Sequence, residues 1–204
     1  MRKKYPKAKI IVYTTHPDLL FGLDEIDNVL KLENINKVKF DIDLQGYLKT
    51  KKPQENKPLR HLSEHVFEIA EKSLNVKLDR KFSVKINLTV NEINKAKEIT
   101  KKLSVGKKLV WLQTKTSLIK KDWTQKYWKE LEKIGKDKYS FIDLSSGKYS
   151  RRLSIAITKQ CDAGITLDTF LLHGSQAVGA KNVIALLISS HKEVVTYPRQ
   201  IVIE

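Results

Sequence analysis

Asp168 and Thr169 sit where an apolar, strand-like run (163–167) gives way to small and apolar residues, and His173 follows one helical turn after Thr169. An acid and a hydroxyl between a strand end and a helix start are placed to serve an anionic ligand. Helix N-termini present unpaired N–H groups to phosphates, and ligands of open α/β sheets lie at the carboxyl ends of strands. The positive end of the helix is worth up to about 1 kcal/mol to an exposed anion. A carboxylate beside a phosphate would repel it, so Asp168 either caps the helix or accepts a hydrogen bond from a sugar hydroxyl. The segment reads as a diphosphate seat.

A second candidate is the loop TKTSLIKKD that follows the strand-like run Lys108 to Thr114. Thr114, Thr116 and Ser117 supply hydroxyls, while Lys115, Lys120 and Lys121 supply cations. Lysine acts on a phosphate as a point charge and hydroxyls add directed hydrogen bonds, so such a loop can clamp phosphate oxygens. A plain solvated Lys/Thr loop is the alternative.

The elements that must carry these residues follow from periodicity. In the N-terminal part, strands are expected at Lys9 to Thr14, closed by His16-Pro17-Asp18, and at Val38 to Leu44, reached through a short apolar stretch from Asn28 to Leu32. Residues 46–60 lose apolar periodicity and read as a mobile loop; 61–74 read as a helix, and 82–88 as a polar-alternating stretch whose end flows into the next helix. Thr89-Val90-Asn91-Glu92 has the form of a capping box opening a helix that runs to about Leu103. The domain boundary falls between 75 and 90, dividing the chain into domains 1–85 and 86–204.

The second half alternates regularly: strand 108–114, helix 123–134, strand 139–144, helix 151–160, strand 163–167, helix 169–179 and strand 182–188. Strands alternating with ten-residue helices imply a parallel, Rossmann-like sheet with right-handed crossovers. In helix 123–134, Asp122 and Gln125 can cap the start. Trp123, Tyr127, Trp128, Leu131 and Ile134 fall on one apolar face, the spacing of a helix resting on a sheet, with a stacking platform for bases as the alternative. In helix 169–179, Gly174, Ser175, Ala177 and Gly179 permit close packing, and Gly179 can end the helix in the left-handed conformation. Phe170, Leu171, Leu172 and Val178 are expected to be buried.

The chain has 204 residues, long enough for one large or two small domains with a sizeable core. Lys and Arg number 39 against 23 Asp and Glu, a formal +16. This balance attracts phosphates, whether of nucleic acid, membrane surface or nucleotide. The lysines are spread along the chain, with no single arm or stripe, which argues against a dedicated nucleic-acid binder and matches a general Lys, Asn and Ile bias. A single cysteine, Cys161, excludes an intramolecular disulfide and a cysteine-cluster metal site. No run is apolar enough to span a bilayer and the N-terminus lacks a signal-peptide core, so a cytoplasmic location is expected, with peripheral contact to anionic surfaces open.

The order of these motifs resembles glycosyltransferase family 9, the ADP-heptose:lipopolysaccharide heptosyltransferases. Asp168-Thr169, His173, the small-residue helix and the apolar strand resemble the family's C-terminal half. Lys120-Lys121-Asp122-Trp123 is similar to its Lys-Arg-Trp-Pro segment, with Thr124 where proline is usual, and Tyr5-Pro6-Lys7-Ala8-Lys9-Ile10 to the entry of its second N-terminal strand. The resemblance implies a GT-B-like α/β fold, two Rossmann-like domains with parallel sheets, the N-terminal one reduced and on the acceptor side, the C-terminal one holding the nucleotide sugar. It implies a nucleotide-diphosphate sugar donor, a saccharide acceptor such as lipopolysaccharide or another surface glycan, and no cofactor or metal.

In that reading Thr114, Ser117 and Lys120 belong to the donor loop and Lys121 pairs with a phosphate. The backbone at Thr169 and Phe170 holds the diphosphate, Asp168 contacts the sugar or orders the loop, and His173 supports the site. The family's first strand and Gly-Asp loop have no counterpart in the sequence, so no catalytic base is assigned; Asp18 and Asp24 are the nearest substitutes. A non-catalytic sugar-nucleotide-binding domain and a basic nucleic-acid binder are the competing functions.

Overall fold

A computed structural model describes residues 5–33, 39–44, 59–80 and 83–204. The chain divides into two compact units, Met1–Ser83 and Val84–Glu204.

In the first unit, β1 (Ile11–Thr14) pairs in parallel with β2 (Asn28–Lys31), Ile11 standing opposite Asn28 and Thr14 opposite Lys31. Parallel partners need a crossover. It contains a 3-10 turn, Pro17–Leu20, whose first residue is a proline with φ already suited to it. The second strand is therefore 28–31; the expected strand at 38–44 is not formed over its described residues, 39–44. Its alternation reflects packing without a ladder, because the Phe40 ring meets Tyr13 of β1 edge-on at 5.5 Å. Most of the expected 46–60 loop lies outside the described residues.

Helix α1 (Leu62–Leu74) starts at His61, whose Nδ1 accepts from the Ser63 N–H at 3.2 Å, and stops at Asn75 with φ 49°. Asparagine tolerates that left-handed turn better than most residues. Arg80 then folds back to donate to Glu71 (2.5 Å) and Glu64 (2.9 Å).

The second unit carries α2 (Val90–Ser104), β3 (Lys108–Gln113), α3 (Gln125–Gly135), β4 (Tyr139–Asp143), α4 (Arg151–Gln160), β5 (Ala163–Thr166), α5 (Phe170–Ala177), β6 (Val183–Leu186), α6 (Lys192–Val195) and β7 (Ile201–Ile203). Its five strands form one sheet in the order β4-β3-β5-β6-β7, every neighbouring pair parallel. This is the α/β class with parallel sheets that the alternation implies. The polar-alternating stretch at 82–88 joins neither sheet over its described residues, 83–88; there the Asn87 carbonyl accepts from Arg152 Nη2 at 2.5 Å. No helix among the described residues is long and apolar enough to cross a membrane.

Strand β3 has neighbours on both sides and is covered on both faces, so its sequence is a continuous apolar run rather than an alternation. Val110 and Leu112 join Trp128 and Leu167 on one face. Trp111, fully buried, lies on the other face against Gly164 of β5, its register partner. A Cβ at Gly164 would stand 1.9 Å from the Trp111 ring, so only glycine leaves room for the indole.

The capping box at Thr89 is complete: Thr89 Oγ1 accepts from Glu92 N, and Glu92 Oε2 accepts from Thr89 N at 2.8 Å. Glu92 also receives Arg152 of α4, Nε to Oε1 at 2.6 Å and Nη2 to Oε2 at 2.8 Å. One carboxylate thus opens α2 and locks it to α4.

Two local expectations change. Neither Asp122 nor Gln125 caps α3: its cap residue, Thr124, makes no side-chain bond, while Asp122 Oδ1 accepts from Thr116 N (2.7 Å) and Gln125 Nε2 donates to the Thr114 carbonyl (3.3 Å). The aromatic face is also narrower than expected. Trp128 is core, but Tyr127 is 47% exposed, stacked on Trp123 at 5.5 Å, and Ile134, in the last turn of the helix, is 77% exposed.

Candidate functional site

Strand order decides which loops meet. From β3 the chain runs outward to β4 and then returns to place β5 on the opposite side of β3, so the crevice between β3 and β5 is the point where the direction of winding reverses. Ligands of such sheets lie at this switch point, beyond the carboxyl ends of the strands. The loop after β5 begins Leu167-Asp168-Thr169, flanked by the loop after β3 on one side and the loop after β6 on the other.

These three loops converge on the Asp168 carboxylate. Lys121 Nζ donates to Oδ2 at 2.5 Å, and Ser190 Oγ donates to the same oxygen at 2.5 Å. His173 Nε2 stands 4.0 Å from Oδ1, and His173 Nδ1 is 2.8 Å from the Tyr197 hydroxyl. Burial by itself pushes the Asp168 pKa up. The hydrogen bonds from Lys121 and Ser190 and the nearby charges outweigh it and hold the carboxyl below its ordinary value. Burial drives the Tyr197 phenol up to about 12, so its hydroxyl stays protonated.

Asp168 therefore does not cap α5. Thr169 does: its Oγ1 accepts from Leu171 N at 3.2 Å. The carboxylate is turned away because a lysine and a serine compete for it more strongly than a backbone N–H can. Among the described residues no acceptor takes the N–H of Thr169 or Phe170, which leaves both at the positive end of the helix. Phe170 is 37% exposed rather than buried, as the first residue of a helix whose inner face begins at Leu171.

The close approach of α5 to the core rests on Gly174, where a Cβ would meet Ile155 Cγ1 of α4 at 2.7 Å. Gly179, with φ 68°, ends the helix. Its N–H donates to Gln176 O and that of Ala180 to Ser175 O, so carbonyls left over at the helix end are satisfied.

The other residues of the Lys/Thr loop go elsewhere. Thr114 is buried, its Oγ1 donating to Asp143 Oδ2 at 2.8 Å and lying 2.8 Å from Ser145 Oγ, at the end of β4. Ser117 and Lys120 are exposed and neither touches the Asp168 group. Sequence reasoning passed over three residues the fold places at this edge: Ser190, Tyr197 and Gln113. Gln113 closes β3, is 5% exposed, donates from Nε2 to Lys115 O, and has an Oε1 with no hydrogen-bond partner. Ser190 follows a strand end just as Asp168 does, a signal that position alone carried. Asp18 and Asp24 lie in the first unit, Asp18 in the 3-10 turn and Asp24 exposed after it. Among the described residues no group of three or more His, Cys, Asp or Glu is arranged to hold a metal ion.

The sequence matches no protein-family model and no curated protein. Solved structures do match. A glycosyl transferase family 9 protein from Veillonella parvula DSM 2008 aligns with a TM-score of 0.70 at 15% identity over 99% of this chain and 79% of that one. The E. coli ADP-heptose lps heptosyltransferase II aligns with a TM-score of 0.68 at 13% identity over 99% of this chain and 83% of that one. At such identities the likeness speaks to the path of the backbone, and by that measure the chain has the α/β, parallel-sheet fold of the family 9 glycosyltransferases.

Proposed function

We propose that the protein is a glycosyltransferase whose second unit binds a nucleotide-diphosphate sugar at the β3/β5 crevice and passes the glycosyl group to a saccharide acceptor, with acceptor recognition assigned to the first unit. One observation carries the reading: a lysine, a carboxylate and a helix start with unclaimed N–H groups meet at the winding reversal of a sheet whose fold is that of glycosyltransferases.

The chemistry follows from the charges. Lys121 is held by Asp168 and exchanges to a diphosphate oxygen when the donor arrives; the N–H groups of Thr169 and Phe170 take further oxygens. Both kinds of donor gain strength as negative charge grows on the departing nucleoside diphosphate, which is where transition-state stabilisation counts. Asp168, released by Lys121 and still steadied by Ser190, accepts from a sugar hydroxyl. In this reading Asp168 orients the sugar through that hydrogen bond, and no residue is assigned as the base that activates the acceptor.

Calorimetry against a panel of nucleoside diphosphates and their sugar conjugates tests this. Wild type binds at least one of them, and Lys121→Ala weakens binding by about tenfold or more, the loss of one charge-assisted contact to phosphate. Asp168→Ala lowers affinity for the sugar conjugate relative to the bare diphosphate. A wild-type protein that ignores every member of the panel refutes the reading. Release of nucleoside diphosphate in the presence of a saccharide acceptor then separates transfer from binding alone.

A further inference from the structure

The segment between β3 and α3 does two things: it holds Lys121 against Asp168, and just before that lysine it presents two apolar side chains to solvent. Ile119 is 89% exposed and Leu118 50% exposed. They are consecutive and stand at the apex of a 3-10 turn, Ile119–Lys121.

The turn is stiffened from within. Lys121 N donates to Leu118 O at 2.8 Å and Asp122 N to Ile119 O at 3.0 Å, while Thr116 Oγ1 donates to Leu118 O at 2.7 Å. Asp122 Oδ1 closes the base on Thr116 N at 2.7 Å. The two side chains are thus presented by a pre-shaped loop, and burying them against a partner costs little further ordering.

Charge decides the partner. Residues 115–121 contain three lysines and no acid. Lys121 is engaged by Asp168 and the adjacent Asp122 by backbone, so neither alters the outer surface. Lys115 and Lys120 are exposed on either side of the apolar pair. An apolar tip flanked by cations is complementary to a lipid leaflet with anionic headgroups: the lysines meet phosphates and the aliphatic side chains reach the acyl boundary.

We propose that Leu118 and Ile119, flanked by Lys115 and Lys120, dock this loop on an anionic membrane surface. The proposal stands apart from the transferase reading, since it requires no donor and no turnover.

Co-sedimentation with vesicles tests it. Wild type pellets with phosphatidylglycerol-rich vesicles and not with pure phosphatidylcholine. Leu118→Ser with Ile119→Ser weakens binding by about tenfold, as partial burial of two aliphatic side chains implies. Because a formal +16 attracts any anionic surface, a charge control is needed: Lys95→Gln with Lys97→Gln, on α2, removes the same charge as Lys115→Gln with Lys120→Gln but leaves binding nearly unchanged. Equal binding by wild type and the Leu118/Ile119 variant, or equal losses in the two lysine pairs, overturns the proposal in favour of bulk charge. No sedimentation with any vesicle also overturns it, as does an oligomer of the protein alone that the Leu118/Ile119 variant dissolves, which would assign the tip to a second copy of the chain.

Discussion

Lys121 Nζ lies 2.5 Å from Asp168 Oδ2, joining residues from the loops after two neighbouring strands, and both side chains are largely buried (24% and 13% exposed). The pair is neither a surface contact nor a fully dry one. Lys121→Ala leaves the carboxylate with Ser190 as its closest donor and is expected to cost about 1–3 kcal/mol, between the surface and interior limits for an ion pair. In urea denaturation, Lys121→Met combined with Asp168→Leu should be more stable than the sum of the single losses predicts. Strict additivity would mean that the two residues do not interact.

Glu92 carries a pH prediction. The Arg152 hydrogen bond is the chief cause that holds its pKa down at about 2, from an ordinary 4.5, against desolvation and with help from Thr89. A depressed carboxylate pKa adds stability that is complete above the unfolded value and is lost as pH falls from about 4.5 toward about 2. Glu92→Gln should be less stable near neutrality by about 2–4 kcal/mol, since it strands the buried Arg152 charge. Its stability should also fall less steeply across that acid window, which acid titration of tryptophan fluorescence can follow.

Gly164→Ala tests the packing of the central strand. The new methyl would overlap the Trp111 ring, which is walled in on every side. The expected loss is about 3 kcal/mol, at the upper end for overpacking. The near-UV circular dichroism of the tryptophans should change with it. An unchanged melting temperature would show that the indole can move.

Cys161 is 2% exposed, and burial, aided by Asp162, raises its thiol pKa to about 12. The thiolate is the reactive form. Native protein should therefore resist thiol reagents at neutral pH and react only as the second unit opens. Fast labelling in the absence of denaturant would contradict the burial of α4's end.

Much of this fold was legible in residue order, and the exceptions have physical causes. The run KLVWLQ reads as a buried strand, which the structure bears out, and Thr89 to Glu92 announced a helix start that the structure completes. The 38–44 alternation misled because Phe40 packs on Tyr13 without backbone pairing, and α6 and β7 are four and three residues long, too short for any period to register. At the candidate site, Asp168 and Thr169 could be read from their place after a strand, Lys121 from its lysine-rich loop and His173 from its spacing one helical turn beyond Thr169. That Lys121 would take Asp168 as its partner could not, because a lysine and an acid lying 47 residues apart reveal their distance only once the strand order is known. Ser190 and Tyr197 depend on the same order.

The convergence of three loops on one carboxylate also bears on the order of events in folding. Lys121, Asp168 and Ser190 can meet only after β3, β5 and β6 are side by side, so we predict that their bonds follow that pairing in folding, to be checked by comparing folding and unfolding rates of Ser190→Ala with wild type. Contacts absent from the folding transition state set the unfolding rate and leave the folding rate nearly untouched. A ligand bridging these loops would therefore act chiefly as a clasp, lengthening the lifetime of the folded second unit.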